Sequence, residues 1–202
     1  VTAATLSIVQ VFWGLDKKLA QRKHFPSLNW LLSYSKYIRV LEPFFNKVQN
    51  DYGSLRNTAN KILQMEDSLN DIVQLVGKES LSEDQKVVMD VAKIIREDFL
   101  QQNAFTDYDY MCPLNKSVGM LRCIITLYNC SQKAIGDSPE GAKVSWNQIK
   151  TAFAGAADEP NGIIQRVIEG KFKMPKDKDI DEHYNKLCDE IVAGFHNFTD
   201  GL

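Results

Sequence analysis

Apolar residues that recur at steps of three and four constrain this sequence more than any other feature. In residues 54–76 the repeating positions are Ile62, Met65, Leu69, Ile72 and Val76. This spacing places all five side chains on one face of an α-helix, whereas a strand needs a two-residue period. Gly77 follows the last of them, at a position where glycine commonly ends a helix. The pattern predicts one long helix with a single buried stripe.

Three further stretches show the same period. Residues 84–102 are predicted to form an antiparallel hairpin with the first helix, through Val88, Val91, Ile95 and Phe99. The apolar face of residues 117–133 consists of Val118, Leu121, Ile125 and Tyr128, and that of a last helix consists of Tyr184, Leu187, Ile191, Phe195 and Phe198. Shorter helices are predicted at 17–22, from about Pro43, at 145–154 and at 163–169. We therefore predict a mainly α fold organised as a helical bundle.

Polar residues mark where several of these helices begin. The predicted caps are Asp16, the capping-box pairs Ser82 with Gln85 and Ser145 with Gln148, and Asp179 with Glu182. Loops are expected at 136–141 and 156–162, and a charged linker at 173–179. These signals divide the second half of the chain into short helical units.

The first residues read differently from the rest. Residues 6–13, LSIVQVFW, are rich in β-branched and aromatic side chains and predict a buried strand. No other convincing strand follows, and a lone strand needs a sheet to join. Together with the initial Val, this indicates a fragment of a longer protein.

Composition limits the classes of function. The 202 residues suit one domain, and a net charge of −2 gives no basic surplus for nucleic acid. The four cysteines lack CxxC spacing and are interpreted as free thiols in a reducing compartment. No signal peptide is recognisable, and no apolar run reaches about 18 residues, so direct membrane insertion is not expected.

Catalytic and metal-binding patterns are missing from the sequence. The three histidines lie far apart without metal-ligand spacing, and Gly77-Lys78 is not a phosphate loop, because Ile72 stands where the first glycine should be. We therefore assign no catalytic residue and no metal ligand, and expect a helical module without catalytic equipment of its own.

Residues 98–113, DFLQQNAFTDYDYMCP, concentrate large flat or soft side chains outside any helix period. Phe105, Tyr108, Tyr110 and Met111 fall within seven residues. Such a surface is covered either by the core of the fold or by a flat ligand such as an adenine ring. The residues alone leave both interpretations open.

This stretch also resembles a known family. The motif FLQQN with Cys-Pro downstream (residues 99–113) and the run VFWGLDKKLAQRKHFPS (residues 11–27) are similar to the C-terminal domain of the catalytic A subunit of vacuolar-type proton ATPases. The resemblance continues through SYSKY, IVQLVGK and VGMLR. It covers residues 1–134 well, whereas the remainder fits only by length and helical character.

The resemblance implies a division of the chain and a role in a larger polypeptide. Residues 1–26 would be the C-terminal edge of the α/β nucleotide-binding domain, and residues 27–202 the helical domain of a rotary ATPase catalytic subunit. That subunit couples ATP hydrolysis to rotary proton transport. Its phosphate loop and Mg²⁺ ligands lie upstream, so the fragment by itself should hydrolyse nothing.

Two groups of site residues follow from the resemblance by position. Phe25, Phe105 and Met111 match the adenine pocket, although Met111 stands where the family usually has an aromatic residue; Tyr110 is the alternative. The acidic turn ESLSED matches the helix–turn–helix by which the related F-type β subunit pushes the rotor: Glu79, Ser80, Leu81, Ser82, Glu83 and Asp84. Helix capping explains the same residues locally. The implied closing hinge lies near residues 27–29.

The implied partners are the non-catalytic B subunit in an alternating hexamer, the central stalk and, indirectly, the peripheral stalk, with ATP and Mg²⁺ as ligands. The implied location is the cytosolic face of vacuolar or other acidic-compartment membranes. The alternative function is a free-standing helical protein-interaction module whose aromatic turn docks a partner.

Overall fold

The computed structural model of the chain describes residues 2–139, 143–155 and 162–201. Its helices are α1 (Thr2–Ile8), α2 (Lys17–Gln21), α3 (Ile38–Val48), α4 (Tyr52–Val76), α5 (Glu83–Ile94), α6 (Leu114–Gly136), α7 (Trp146–Ala152), α8 (Ile163–Glu169) and α9 (Ile180–Asp200). Two short strands, β1 (Val11–Phe12) and β2 (Tyr34–Ser35), pair antiparallel. The prediction of a mainly α fold is confirmed.

Helix α6 is the centre of the bundle and is buried on several sides. Helices α4 and α5 pack against it as an antiparallel hairpin, joined by a 3₁₀ turn at Lys78–Ser80. Helix α9 runs parallel to α6, since Asn115 contacts Asp181 near their first turns and Cys123 contacts Cys188 further along. The predicted apolar faces of α6 and α9 lie in this core.

The predicted helix at residues 54–76 is confirmed, and its predicted buried face is partly right, since Ile62 and Leu69 lie in the core. The side chains that face the core are Leu55, Ala59, Ile62, Leu63, Glu66 and Leu69. Met65, Ile72 and Val76 are exposed. Both sets satisfy three- and four-residue steps, and they differ by a rotation about the helix axis. Glu66 is tolerated in the core because Arg96 pairs with it at 2.9 Å.

Helix α5 ends earlier than the helix predicted at residues 84–102. The buried stripe of α5 is confirmed, and Val88, Val91 and Ile95 lie in the core. Beyond Ile94 the backbone widens into a π-helix over Ile95–Leu100, and Gln101 is already extended. A π segment changes the direction of the chain at a helix end. The aromatic stretch follows directly after this π-helix.

The N-terminal strand prediction is largely wrong. Residues 2–8 are helical, and only Val11 and Phe12 form a strand, paired with the unpredicted strand β2. Trp13 is mostly exposed, so the segment is not buried either. High β-propensity reflects a fit to a half-buried sheet surface, and here only a two-residue partner is available. In α3, Pro43 lies inside the helix instead of in its first turn.

The capping predictions have mixed outcomes. The Oδ1 atom of Asp16 accepts from the backbone N–H groups of Lys18 and Leu19 at 2.7 and 3.1 Å, and both capping boxes form. Asp179 makes no capping hydrogen bond and instead accepts from Lys173 at 2.8 Å.

The loop and cysteine predictions are also settled in part. Gly136 is the last residue of α6, not the start of a loop. Of the two predicted loops, residues 140–141 and 156–161 lie outside the described residues. The helix predicted at 163–169 is confirmed with these bounds, and all four cysteines are free thiols.

Close packing of α6 on α9 leads to the first prediction. A Cβ atom on Gly119 would lie 2.4 Å from Cδ2 of the buried Tyr184, whose hydroxyl donates to the Gly170 carbonyl at 2.7 Å. Gly119→Ala should therefore lower the free energy of unfolding by about 1–3 kcal/mol, measured by urea denaturation. Gly136→Ala in the same helix meets nothing within 4 Å and is the matched control. Equal stability of the two variants would contradict this packing.

Candidate functional site

An open groove of about 650 Å³ lies where the loop after α2 meets the turn after α5. Its lining comes from two segments, Lys23–Pro26 and residues 101–111. The backbone N–H of Gln102 donates to the carbonyl of Phe25 at 2.6 Å, which joins the two segments directly. The groove is therefore built from parts of the chain that are about 80 residues apart.

The three residues predicted for an adenine pocket all line this groove. Phe25 is 53% exposed, Phe105 is 99% exposed and Met111 is 78% exposed. Tyr110 lines the same groove and is also exposed. Core packing therefore does not explain these side chains. It does explain Tyr108, which packs edge-to-face on Phe172 with ring centroids 5.0 Å apart.

Local hydrogen bonds fix the shape of the turn. Asn103 Oδ1 accepts from the Phe105 N–H at 3.0 Å, and Asp109 Oδ2 accepts from the Asn103 N–H at 2.9 Å. The Tyr110 N–H donates to the Thr106 carbonyl at 2.8 Å. Asn and Asp side chains commonly stabilise turns in this way. The backbone beneath the exposed side chains is thus well ordered.

Two lysines anchor the turn to the bundle. The Lys116 ammonium is fully buried and donates to the Tyr108 carbonyl and, at 2.7 Å, to the Lys171 carbonyl. The Lys171 ammonium donates to the Gln101 carbonyl at 2.7 Å and lies 3.9 Å from Asp109. Burial lowers the pKa of Lys116, and the nearby Cys112 and Asp109 oppose this shift. Sequence reasoning missed both lysines.

Two residues on the rim have left-handed backbones. Lys23 has φ 60° and Met111 has φ 52°. This conformation costs a residue other than glycine roughly 1–2 kcal/mol. Strained residues of this kind persist where the surroundings hold them, and they cluster at ligand-binding sites. The rim of the groove therefore has one of the backbone features expected of a functional site.

The groove suits the flat base of a nucleotide better than its phosphates. Exposed aromatic and thioether surfaces favour contact with a planar ring. Among the described residues, no group of three or more His, Cys, Asp or Glu side chains is arranged to hold a metal ion. The sequence also lacks a phosphate loop. The residues present fit the adenine part of ATP, and they offer no ligand set for Mg²⁺.

His24 has a structural role beside the groove. It is buried, and its ring packs on Trp30 with centroids 5.8 Å apart. Burial lowers its pKa, and nearby Arg22 and Arg96 add to this shift, so the imidazole is neutral near pH 7.

The acidic turn predicted for rotor contact forms a tip between α4 and α5, in the opposite direction along α5 from the groove. Its members have different environments. Glu79, Ser80, Ser82 and Asp84 are exposed, but Leu81 is buried. Glu83 accepts from the Trp146 N–H at 2.6 Å and from Lys86 at 2.7 Å, and the Lys86 hydrogen bond helps to lower its pKa.

Two apolar side chains beside the acidic turn are exposed, which the sequence analysis did not predict. Leu75 is 84% exposed and Val76 is 62% exposed at the end of α4. Gly77, with φ 85°, ends the helix directly after them. The tip therefore combines carboxylates with an uncovered apolar pair, which is typical of a protein contact.

Comparison with known proteins identifies the family. Residues 41–144, half of the chain, match the family described as the C-terminal domain of V and A type ATP synthase. The chain belongs to this family. Its match begins in α3, includes the tip and the aromatic turn, and ends just before α7.

Individual members of the V-type branch resemble the chain along its whole length. It is 50% identical over 202 residues to the catalytic A subunit of the V-type proton ATPase of Dictyostelium discoideum, covering 99% of this chain and 32% of that protein. The corresponding proteins of Trypanosoma congolense and Arabidopsis thaliana are 52% and 48% identical, covering 96% and 99% of this chain and 31% and 32% of theirs. The chain thus spans about a third of each relative.

These alignments correct the expected extent of the resemblance. The resemblance was expected to fade after Ala134, but matches covering 99% of the chain include α7, α8 and α9.

None of the helices in the described ranges is long and apolar enough to cross a membrane.

The lysine anchor leads to the second prediction. Lys116→Met keeps the apolar stem but leaves the carbonyls of Tyr108 and Lys171 without their donor. Amide hydrogen exchange across residues 103–111 should become faster by at least about tenfold, and the free energy of unfolding should fall by about 1–3 kcal/mol. Lys61→Met, at an exposed position of α4, is the matched control. Unchanged exchange in the turn would show that Lys116 does not anchor it.

Proposed function

We propose that this chain is the C-terminal part of the catalytic A subunit of a V-type proton-translocating ATPase. In this role it supplies the adenine side of the nucleotide pocket and a rotor-contacting tip. The carrying observation is the groove: Phe25, Phe105 and Met111 line one cavity with exposed apolar surfaces above an ordered turn. The relatives share the name of the catalytic A subunit of V-type proton ATPases, which supports this assignment.

The division of labour in the proposed ATPase follows from what the chain contains. ATP with Mg²⁺ supplies the phosphoryl chemistry when bound, and the residues for that chemistry lie upstream in the full-length polypeptide. Phe25, Phe105 and Met111 hold the base, exclude water from its faces and so orient the nucleotide. A base that is remote from the reacting phosphate contributes to binding more than to the chemical step.

The boundary between residues 26 and 27 remains a proposal. Residues 11–15 are held by hydrogen bonds to residues 28–35, including Asn29 N–H to the Gly14 carbonyl at 2.7 Å. The proposed hinge segment 27–29 is therefore attached to the N-terminal part. Helix α3 has no buried residue and exposes Val40 and Phe44. An apolar face of this kind is suited to packing against the upstream domain of the full-length polypeptide.

Closure of the helical domain would transmit the binding event. In this proposal the domain occupies its closed position when the groove holds a nucleotide, because the closed state contacts the base on more sides. The tip of Glu79, Ser80, Ser82 and Asp84, with Leu75 and Val76, then presses on the central stalk. Leu81 and Glu83 support the tip from inside instead of touching the rotor.

The proposed partners are the non-catalytic B subunit in an alternating hexamer and the central stalk, with the peripheral stalk engaged indirectly. The assembly would lie on the cytosolic face of vacuolar or other acidic-compartment membranes, attached through other components of the complex. Nucleic acid is not among the proposed partners, because a net charge of −2 gives no basic surplus. The alternative, a free-standing interaction module, would use the same exposed aromatics for a peptide.

The third prediction tests the adenine contact in the assembled ATPase. Phe105→Ala should raise the KM for ATP about tenfold with little change in kcat, because base stacking on an aromatic side chain contributes about 1–3 kcal/mol. Phe105→Tyr keeps the ring and should behave like the natural protein. An unchanged KM in the alanine variant would remove Phe105 from the pocket and favour the interaction module.

The fourth prediction tests the tip. Replacing both Leu75 and Val76 with serine should weaken the contact with the stalk without disturbing the core, since both side chains are exposed. Proton pumping should fall at least about twofold further than ATP hydrolysis, because loss of an interface anchor costs about 1–2 kcal/mol. Met65→Ser, also exposed on α4, is the control. Equal retention of pumping and hydrolysis in the double variant would refute the contact.

A further inference from the structure

A pair of free thiols lies between the two parallel helices α6 and α9 of the bundle. Cys123 in α6 and Cys188 in α9 face each other with their Sγ atoms 3.3 Å apart. They are 65 residues apart in sequence. Neither takes part in the groove or the tip, and nothing in the proposed nucleotide or rotor contacts uses them.

We propose that Cys123 and Cys188 form a reversible disulfide that joins α6 to α9 when a peroxide is present. This inference is independent of the proposed ATPase function. The two sulfurs already touch, so a covalent bond of about 2.05 Å requires only a small further approach. The cross-link would close a long loop within the helical domain.

The two thiols differ in a way that sets the order of reaction. Cys188 is partly exposed, whereas Cys123 is 1% exposed. The hydrogen bond shared with Cys123 lowers the pKa of the Cys188 thiol, whereas burial opposes this shift. The Thr126 hydroxyl, 3.9 Å from the sulfur, and the Arg122 guanidinium also lower the pKa. The same contact with Cys188, together with burial, raises the pKa of Cys123. Cys188 is thus the thiol that a peroxide reaches and the better thiolate.

The chemistry balances with hydrogen peroxide as the oxidant. The Cys188 thiolate attacks one peroxide oxygen, the O–O bond breaks, and the departing oxygen takes a proton to leave as water. The sulfur of Cys123 then displaces the hydroxyl of the Cys188 sulfenic acid, and a second water leaves with the Cys123 proton. Two thiols lose two electrons and two protons, and one peroxide becomes two waters.

The surroundings favour the pair over the other two cysteines. Cys112 lies near the groove and contacts the Ser117 hydroxyl, with Sγ and Oγ 3.3 Å apart. Cys130 is on α6 like Cys123, but it is the sulfur of Cys123 that lies against that of Cys188. Arg122 also holds this region in place, since it binds Asp51 at 2.6 Å and Asn185 at 3.2 Å.

The test is peptide mapping of the full-length protein treated with hydrogen peroxide. Free thiols are alkylated, and the unreduced protein is digested with trypsin and analysed by mass spectrometry. Cleavage after Arg122 and Lys133 leaves Cys123 and Cys130 in one peptide. The Cys130→Ser variant solves this ambiguity, because its peptide 123–133 contains Cys123 alone. It is also the matched control, since it keeps the proposed pair.

The expected result is a species joining peptide 123–133 to the peptide that begins at Leu187, in both the natural protein and Cys130→Ser. Dithiothreitol should reverse it, and Cys188→Ser should abolish it, whereas Cys112→Ser should not. Oxidation should raise the Tm of the helical domain by about 5–15 °C, because the closed loop restricts the unfolded chain. The Cys188→Ser variant should show no such rise.

Three outcomes would overturn the proposal. One is full alkylation of Cys123 beside a Cys188 that carries only sulfenic or sulfinic acid. Another is a cross-link that disappears in Cys130→Ser, which would show that Cys130 is the partner. The third is recovery of both thiols unmodified after peroxide. Mapping of the natural protein shows without any variant whether Cys188 becomes cross-linked to α6, so a misfolded cysteine mutant cannot obscure that part of the answer.

Discussion

The hydrogen bonding of the buried Lys116 ammonium is the interaction on which the candidate groove depends. A lysine in the core loses its hydration and is tolerated only where it finds hydrogen-bond acceptors. Here the acceptors are the carbonyls of Tyr108 and Lys171. The two hydrogen bonds that satisfy the charge therefore join the aromatic turn and the segment between α8 and α9 to α6. Without it, the turn has no equivalent attachment to α6.

This anchoring explains how the groove combines order with exposure. Phe105 and Met111 expose apolar surface to water, which a flexible loop would hide by collapsing onto the protein. The hydrogen bonds of Asn103 and Asp109 and the packing of Tyr108 on Phe172 hold the backbone in place. A backbone that is already fixed need not be ordered when a ligand binds, so the entropy cost of binding is limited to the exposed side chains. The groove is thus preorganised for a flat partner.

Sequence patterns revealed the elements better than their orientations. The helices of the bundle were predictable because burial imposes a period, yet the face of α4 was only partly so: Leu69 is buried as predicted, whereas Met65 is exposed. Only the position of α5 and α6 decides which side of the helix is covered. The strand predicted at residues 6–13 failed because β-propensity has meaning only beside a partner strand. Asp179 failed as a cap because Lys173 competes for its carboxylate.

The site was predictable in a different way. Phe25, Phe105 and Met111 were predicted by resemblance to a family, since no spacing rule connects residues about 80 positions apart. The structure adds that they share a groove. Lys116 could not have been found, because a lysine in a helix normally extends into solvent. Leu75 and Val76 were equally hidden, since an apolar residue at a helix end is usually buried.

The two proposed surfaces are connected by one helix. Helix α5 starts at the tip with Glu83, and its π-helical continuation ends at Leu100, one residue before the groove begins. At about 1.5 Å per residue, this segment spans roughly 27 Å. Its inner face is fixed in the core by Val87, Val91 and Ile95, so it has little freedom to bend. A displacement of the groove therefore moves the tip as part of the same packed unit. The proposed coupling between an occupied groove and the tip needs this kind of rigid connection.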